Sequence, residues 1–365
     1  MKLMRYSRRH EPSSRSRLGV LVGAELVADL RAGYALYLVD ELGNRKGPEI
    51  AQLYIPSYIA QFLHIGEPAW LALGDAYSYL AELAVTSPGA IGLAGEPLFL
   101  PLAECRLYAP VRPLKLIATG RNYPAYTRQP GRQAGVVPAA FMKALSSITG
   151  PGRDIVKPRS SNELDFETEL AVIIGSKCKH VSEHDAYGVV AGYTILNDVT
   201  ARDVARRERE GGHPFLAKTF DTFAPMGPWM VTREAVPDPM NLRIVTRVNG
   251  EVRQEGNTKD MIFPIAKLIS YMSQITLMPG DVIATGSPGG GGLANPDWLL
   301  KAGPRRVRDR SHRRAAQRCN RRAGADVDVA SSRSVLLLSL FFQPVCAELI
   351  GERIQARAPA HRRCA

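Results

Sequence analysis

One short stretch constrains this chain more than any other. The acidic run Asp165-Phe166-Glu167-Thr168-Glu169 leads straight into the apolar Leu170-Ala171-Val172-Ile173-Ile174-Gly175. The apolar part has the length and β-branched content of a buried strand. Side chains alternate along a strand, so Glu167 and Glu169 fall on one face, roughly 7 Å apart. Two carboxylates so placed repel one another and need a cation, a partner base or a raised pKa. Oxygen ligands with no His or Cys nearby suit Mg²⁺, Mn²⁺ or Ca²⁺ better than zinc. An edge strand with its glutamates in water is the plain alternative.

Two downstream segments favour the first reading. Val189–Leu196 reads as a buried strand ending at Asn197-Asp198, ahead of a helix expected near 200–210. An acid at such a strand end points into a cleft or caps the helix. Lys218 sits in the apolar setting Phe215-Leu216-Ala217-Lys218-Thr219-Phe220, read here as a third strand. A lone lysine there snorkels to solvent or pairs with an acid. Beside a carboxylate–metal cluster it instead faces developing negative charge.

The rest of the chain supplies the frame. Residues 18–30 carry a hairpin signal, 56–64 and 69–86 have helical spacing, and Asn249-Gly250 is a strong hairpin turn. The stretch 120–160, rich in Gly, Pro, Arg and Ser, reads as a long loop or lid. Strands outnumber helices without strict β-α-β alternation, so the fold class is α+β. Three regions are expected: a small N-terminal α/β domain (1–112), a catalytic domain (113–303) and an atypical, poorly ordered Arg-rich tail (304–365). The formal charge of +12 is not a nucleic-acid signal for the body of the chain, because 14 Arg against 5 acids after residue 303 supply about +9 of it. The run before residue 18 is basic and polar without an apolar segment behind it, which argues against a secretory signal. No apolar run reaches the ~18 residues of a membrane span. Five cysteines in no ligand spacing suggest reduced thiols and a cytoplasmic protein.

Taken together, the ordered blocks Gly120-Arg121-Asn122-Tyr123, Ser146–Gly152, Asp165–Gly175, Gly192–Asp203, the Lys218 segment, Val248–Glu251 and Pro279–Pro288 resemble the fumarylacetoacetate hydrolase family of metal-dependent enzymes. The resemblance spans roughly 113–303. It implies a mixed β-roll, a homodimer, and Mg²⁺ or Mn²⁺ held by Glu167, Glu169 and Asp198. Lys218 would be catalytic beside the metal, with Thr222 close by. Arg121, Tyr123, Lys143 and Thr285 would bind the substrate, a small 2-oxo or 2-hydroxy-dienoic acid, although a solvated Lys143 is an equal reading. Isomerisation, decarboxylation or C–C hydrolysis would proceed through a metal-stabilised enolate.

Two departures from the family pattern bear on chemistry. Hydrolytic members carry a His-x-x-Glu dyad after the Asn-Tyr pair, where this chain has Tyr126 and Gln129. Tyrosine, with a reference pKa of about 10, and glutamine are poor bases near neutrality. Isomerisation and decarboxylation tolerate that loss better than hydrolysis, and His213 is a weaker substitute base. After Lys301-Ala302-Gly303 the composition shifts abruptly to arginine, as in a frame shift or an appended segment. A binding protein without turnover and a nucleic-acid-binding tail are therefore the other function classes. Gly289–Gly292 lacks the lysine of a phosphate loop and reads as a flexible turn. His180 and His184 have no third zinc ligand.

Overall fold

The acidic strand lies near the middle of a large mixed sheet. The computed structural model describes residues 1–127, 135–212 and 215–300. Expectations for Gln129, His213 and the tail with Cys319, Cys346 and Cys364 fall outside the described residues, as does the Tyr126 side chain.

Among the described residues one sheet runs in the order Phe99–Pro101, Leu26–Asp29, Arg17–Val22, Lys2–Arg8, Met230–Thr232, Val190–Asn197, Thr168–Ile174, Val282–Ala284, Leu116–Gly120 and Ala139–Met142. Cys105–Leu107 also pairs with Lys2–Arg8. Neighbours are antiparallel except Val282–Ala284 with Leu116–Gly120, which makes the sheet mixed and the fold α+β.

Both faces of the acidic strand are covered. Leu170, Val172 and Ile174 pack with Tyr193, Ile265 and Leu268, while Ala171 and Ile173 join the opposite core with Leu3 and Leu73. All seven residues of Thr168–Ile174 are buried. Each large aliphatic side chain so buried stabilises by about 1.5–3 kcal/mol. A carboxylate is tolerated in such a strand only near its end, where it can be paired, hydrogen-bonded or neutralised by a proton.

The hairpin read at 18–30 is Arg17–Val22 with Leu26–Asp29, and the helix read at 69–86 is Glu67–Thr86. Asn249 and Gly250 both have positive φ (53° and 88°), as a tight hairpin turn between Arg243–Val248 and Glu251–Asn257 requires. The basic segment before residue 18 contains an interior strand, Lys2–Arg8, that sequence reading did not mark. Its Arg5 is buried because the guanidinium stacks on Tyr58 and Tyr108 and Nε donates to Ser16 Oγ at 2.9 Å. Apolar spacing was masked there by charges that fold inward. Helices Leu30–Asp40 and Gly47–Tyr54 were also unmarked. The first begins where Asp29 Oδ1 accepts the Ala32 N–H at 3.1 Å. No helix among the described residues is long and apolar enough to cross a membrane.

Candidate active site

The two glutamates do not sit on one regular strand. Leu164–Asp165 and Thr168–Ile174 are separate strands, and Phe166-Glu167 forms the break between them. Side chains and a neighbouring loop satisfy the backbone there. Glu167 N donates to Asn197 Oδ1 (2.9 Å), Asp198 N to Glu167 O (2.7 Å), and Thr168 N to Gln254 Oε1 (3.0 Å). This pins Glu167 against the end of Val190–Asn197, which delivers Asp198. Carboxylate oxygens of Glu167, Glu169 and Asp198 come within 4.8 Å of one another, and all three residues are buried.

Three buried cations surround them. Lys218 Nζ lies 2.5 Å from both Glu167 Oε2 and Asp198 Oδ2. Arg202 Nη2 is 2.5 Å from Glu167 Oε1 and 2.7 Å from Asp165 Oδ2. Lys143 Nζ is 2.5 Å from Asp198 Oδ1 and also donates to the Lys218 carbonyl. Glu169 is different: among the described residues it accepts one hydrogen bond, from Gly286 N at 2.9 Å, and has no cation in contact.

The titration behaviour follows from these partners. Burial pushes Glu169 well above the ordinary carboxylate range, reinforced by Asp198 and then Glu167. Burial would also raise Glu167, but Lys218 and then Arg202 outweigh it and lower it to about 2. Lys218 is raised, because Asp198 and Glu167 outweigh the burial that would lower it. Lys143 is lowered by burial, against the pull of Asp198. Glu167, depressed in the folded protein, contributes stability that is full above its ordinary 4.5 and is lost as pH falls toward about 2. Glu169, raised in the folded protein, contributes stability present below its ordinary value and lost as pH rises through the folded one. A divalent ion bound by Glu169 would have to displace its proton. The rise in melting temperature produced by Mn²⁺ is therefore expected to be larger at pH 8 than at pH 5, as melts at both pH values would show. An equal rise at both would remove Glu169 from the site.

The donor set fits a hard divalent cation: three oxygen ligands converge, and among the described residues the group holds no His or Cys and Glu169 has no cation in contact. Beside the cluster opens a cavity of about 430 Å³, in the range of small-molecule sites. Glu167, Glu169, Arg202 and Lys218 face it, with Phe141 and Leu293 among its apolar walls and Arg121 and Arg209 at its exposed rim.

Sequence reading and structure part company at several residues. Lys218 belongs to a short helix, Leu216–Thr219, not to a strand. Its backbone is held by Glu208, whose carboxylate accepts the N–H groups of Phe215, Leu216 and Ala217. Lys143 is fully buried behind the cluster and positions Asp198, away from the cavity lining. Tyr123 packs in the core against Ile117 and Leu170, its hydroxyl without a partner among the described residues, and burial raises its pKa. Thr285 donates its hydroxyl to the Leu170 carbonyl at 2.9 Å, and its own carbonyl accepts from Asn122 Nδ2 at 2.8 Å. Thr222, at φ 72°, accepts the Val156 N–H through Oγ1 at 2.8 Å. Arg121 alone of the four expected substrate-binding residues lines the cavity, in the left-handed region at φ 55°.

Two features escaped sequence reading. Asp165 and Arg202 form a buried pair behind Glu167. The signal was charge balance: three buried acids beside one lysine require another cation nearby, and Arg202 opens the helix Arg202–Glu210 just after Asp198. The glycine run is packed, not loose. Gly292 N donates to Asp165 Oδ1 at 2.7 Å, and a Cβ on Gly291 (φ 69°) would lie 2.8 Å from the same oxygen.

A mixed sheet that gathers three carboxylates beside a small cavity, with a lysine from a short helix set among them, has the make-up of an enzyme active site. The profile described as fumarylacetoacetate (FAA) hydrolase C-terminal matches residues 115–312, and the chain belongs to the fumarylacetoacetate hydrolase family of enzymes. It is 43% identical over 252 residues to the mitochondrial oxaloacetate tautomerase FAHD2A of Homo sapiens, an alignment covering 68% of this chain and 75% of that protein. It also resembles the maleylpyruvate hydrolase of Sphingobium sp. SYK-6, solved with manganese(II) and pyruvate. The TM-score is 0.54 at 31% identity, over 80% of this chain and 90% of that one. A third relative is a 5-carboxymethyl-2-hydroxymuconate delta-isomerase from Mycobacterium smegmatis (TM-score 0.55, 30% identity, 80% of this chain and 89% of that one).

Proposed function

We propose that this protein interconverts keto and enol forms of a small 2-oxo carboxylic acid, with Mg²⁺ or Mn²⁺ held by Glu167, Glu169 and Asp198. The observation that carries the reading is the convergence of these three buried carboxylates with Lys218, beside a cavity that Glu167, Glu169 and Lys218 line. A bound divalent ion would supply a Lewis acid that draws charge from the 2-oxo group. The protein's own groups do the rest. Arg202 and Lys143 hold Glu167 and Asp198 through ion pairs, so neither carboxylate reorients when substrate enters. Lys218, kept protonated by two acids, offers a hydrogen-bond donor where oxygen charge grows. Phe141 and Leu293 keep water from the reacting carbon.

Charge supports an anionic ligand. Asp165, Glu167, Glu169 and Asp198 face Lys143, Lys218 and Arg202, leaving one negative charge when all are ionised. One divalent ion and one carboxylate bring the deep site to neutrality. Tautomerisation is favoured over C–C hydrolysis because Tyr126 and Gln129 cannot activate water as a His/Glu dyad would. Similarity to a maleylpyruvate hydrolase supports hydrolysis as the second reading. Assays with enol oxaloacetate and with an acylpyruvate, each with Mn²⁺, separate the two. Ketonisation without release of pyruvate is the expected result, and stoichiometric pyruvate from the acylpyruvate would replace tautomerase by hydrolase.

A further inference from the structure

Lys218 reaches Glu167 and Asp198 from a turn that cannot hold itself. Leu216–Thr219 is a single helical turn, and a lone turn fixes too many dihedrals for the hydrogen bonds it gains. Apolar burial gives it little help: Phe215 is 61% exposed and Leu216 50%, while Ala217 joins the core cluster that contains Phe166 and Val199. Phe215, at the position that would cap the turn, makes no side-chain hydrogen bond to it. The N–H groups at the start of a helix then need partners from elsewhere. Glu208 supplies them. Its Oε2 accepts the N–H of Phe215 at 2.9 Å and of Ala217 at 3.1 Å, and its Oε1 accepts that of Leu216 at 2.7 Å. Bonds to an ionised carboxylate are about twice as strong as neutral ones.

We infer that Glu208 is a positioning residue for Lys218, whose grip on the preceding three N–H groups keeps the ammonium between Glu167 and Asp198. The inference rests on the role given to Lys218 in the proposed function, and Glu208 itself is not among the residues that line the cavity. The helix Arg202–Glu210 then braces the site at two points. Arg202, at its start, holds Glu167 and Asp165, and Glu208, near its end, holds the turn that carries the lysine. Lys143 completes the grip by donating to the Lys218 carbonyl. Both partners of the Lys218–Glu167 pair are thereby fixed through one rigid element, which sets the distance between them.

The test follows wild type, Glu208→Ala and Glu208→Gln as full-length proteins, by turnover of enol oxaloacetate with Mn²⁺ and by the rate at which acetic anhydride labels Lys218, read by mass spectrometry. Glu208→Ala removes all three bonds and should lower kcat about tenfold or more while KM stays within twofold, because the misplaced donor is needed where charge develops. Its Lys218, now free to leave its partners, should be acetylated about tenfold faster. Glu208→Gln keeps one acceptor oxygen and should fall between the two on both scales, and it carries the test should the alanine variant not fold. A purely structural role would lower the melting temperature and leave the labelling of Lys218, measured well below the melt, as in wild type. That pattern, or an unchanged kcat, overturns the inference. Rapid labelling with wild-type kcat would instead remove the role given to Lys218. A wild-type protein inert toward enol oxaloacetate overturns the proposed function, a failure that the labelling rates tell apart from one of Glu208.

Discussion

Glu169→Gln should lower kcat/KM by about a thousandfold or more and abolish tight Mn²⁺ binding, while leaving the protein folded. The expected loss matches the several kcal/mol that a metal Lewis acid contributes to a charged transition state. Glutamine keeps the shape of the side chain and an oxygen to accept from Gly286 N, so packing is preserved. It removes the cluster carboxylate that has no cation in contact among the described residues and whose buried charge is the least favourable of the set. The melting temperature without divalent ion should therefore hold or rise. Calorimetric titration with Mn²⁺, thermal melts and turnover on the same sample check all three parts. Undiminished Mn²⁺ affinity in the variant would show that the ion sits elsewhere, and the metal assignment would fail.

Lys218→Met is expected to reduce kcat by about a hundred- to a thousandfold, the usual cost of deleting one donor at a developing oxyanion. Its effect on stability should be the opposite of that of Glu169→Gln. Lys218 touches both Glu167 and Asp198, and removing one partner of a buried ion pair costs about 3–5 kcal/mol. Arg202 and Lys143 remain on the other oxygens of those carboxylates, which should keep the variant folded. Adding Mn²⁺ should recover much of the lost melting temperature without recovering turnover, because an ion replaces the charge but not the donor. Near wild-type kcat in a folded Lys218→Met protein would reduce the lysine to an ordinary counter-ion.

How legible the site was depended on the kind of signal each residue leaves. Glu167, Glu169, Asp198 and Lys218 are charges at the ends of apolar runs, and a charge entering a core is conspicuous in one dimension. Tyr123 and Thr285 stand in the same motif blocks, yet their side chains serve the core and a neighbouring strand. A motif shows that a segment is near the site but not which way each side chain faces, since one step along an extended chain reverses it. Lys143 lies in a stretch read as a loop or lid, and only the fold shows that its ammonium passes behind Asp198.

The sequence alone was enough for the α+β class, the Asn249-Gly250 hairpin and the four charges that the fold gathers in one buried cluster, because periodicity, turn chemistry and the expense of burying charge are local. The Arg202–Asp165 brace, the glycine run packed on Asp165 and the arginines at the cavity rim needed the folded chain. Each joins elements distant in sequence, and such partnerships exist only once the sheet brings strand ends and helix faces together. Even the spacing of the glutamates was a tertiary matter. The break at Phe166-Glu167 is held open by Asn197 and Gln254 from other strands, and hydrogen bonds between strands are written in no short stretch of residues.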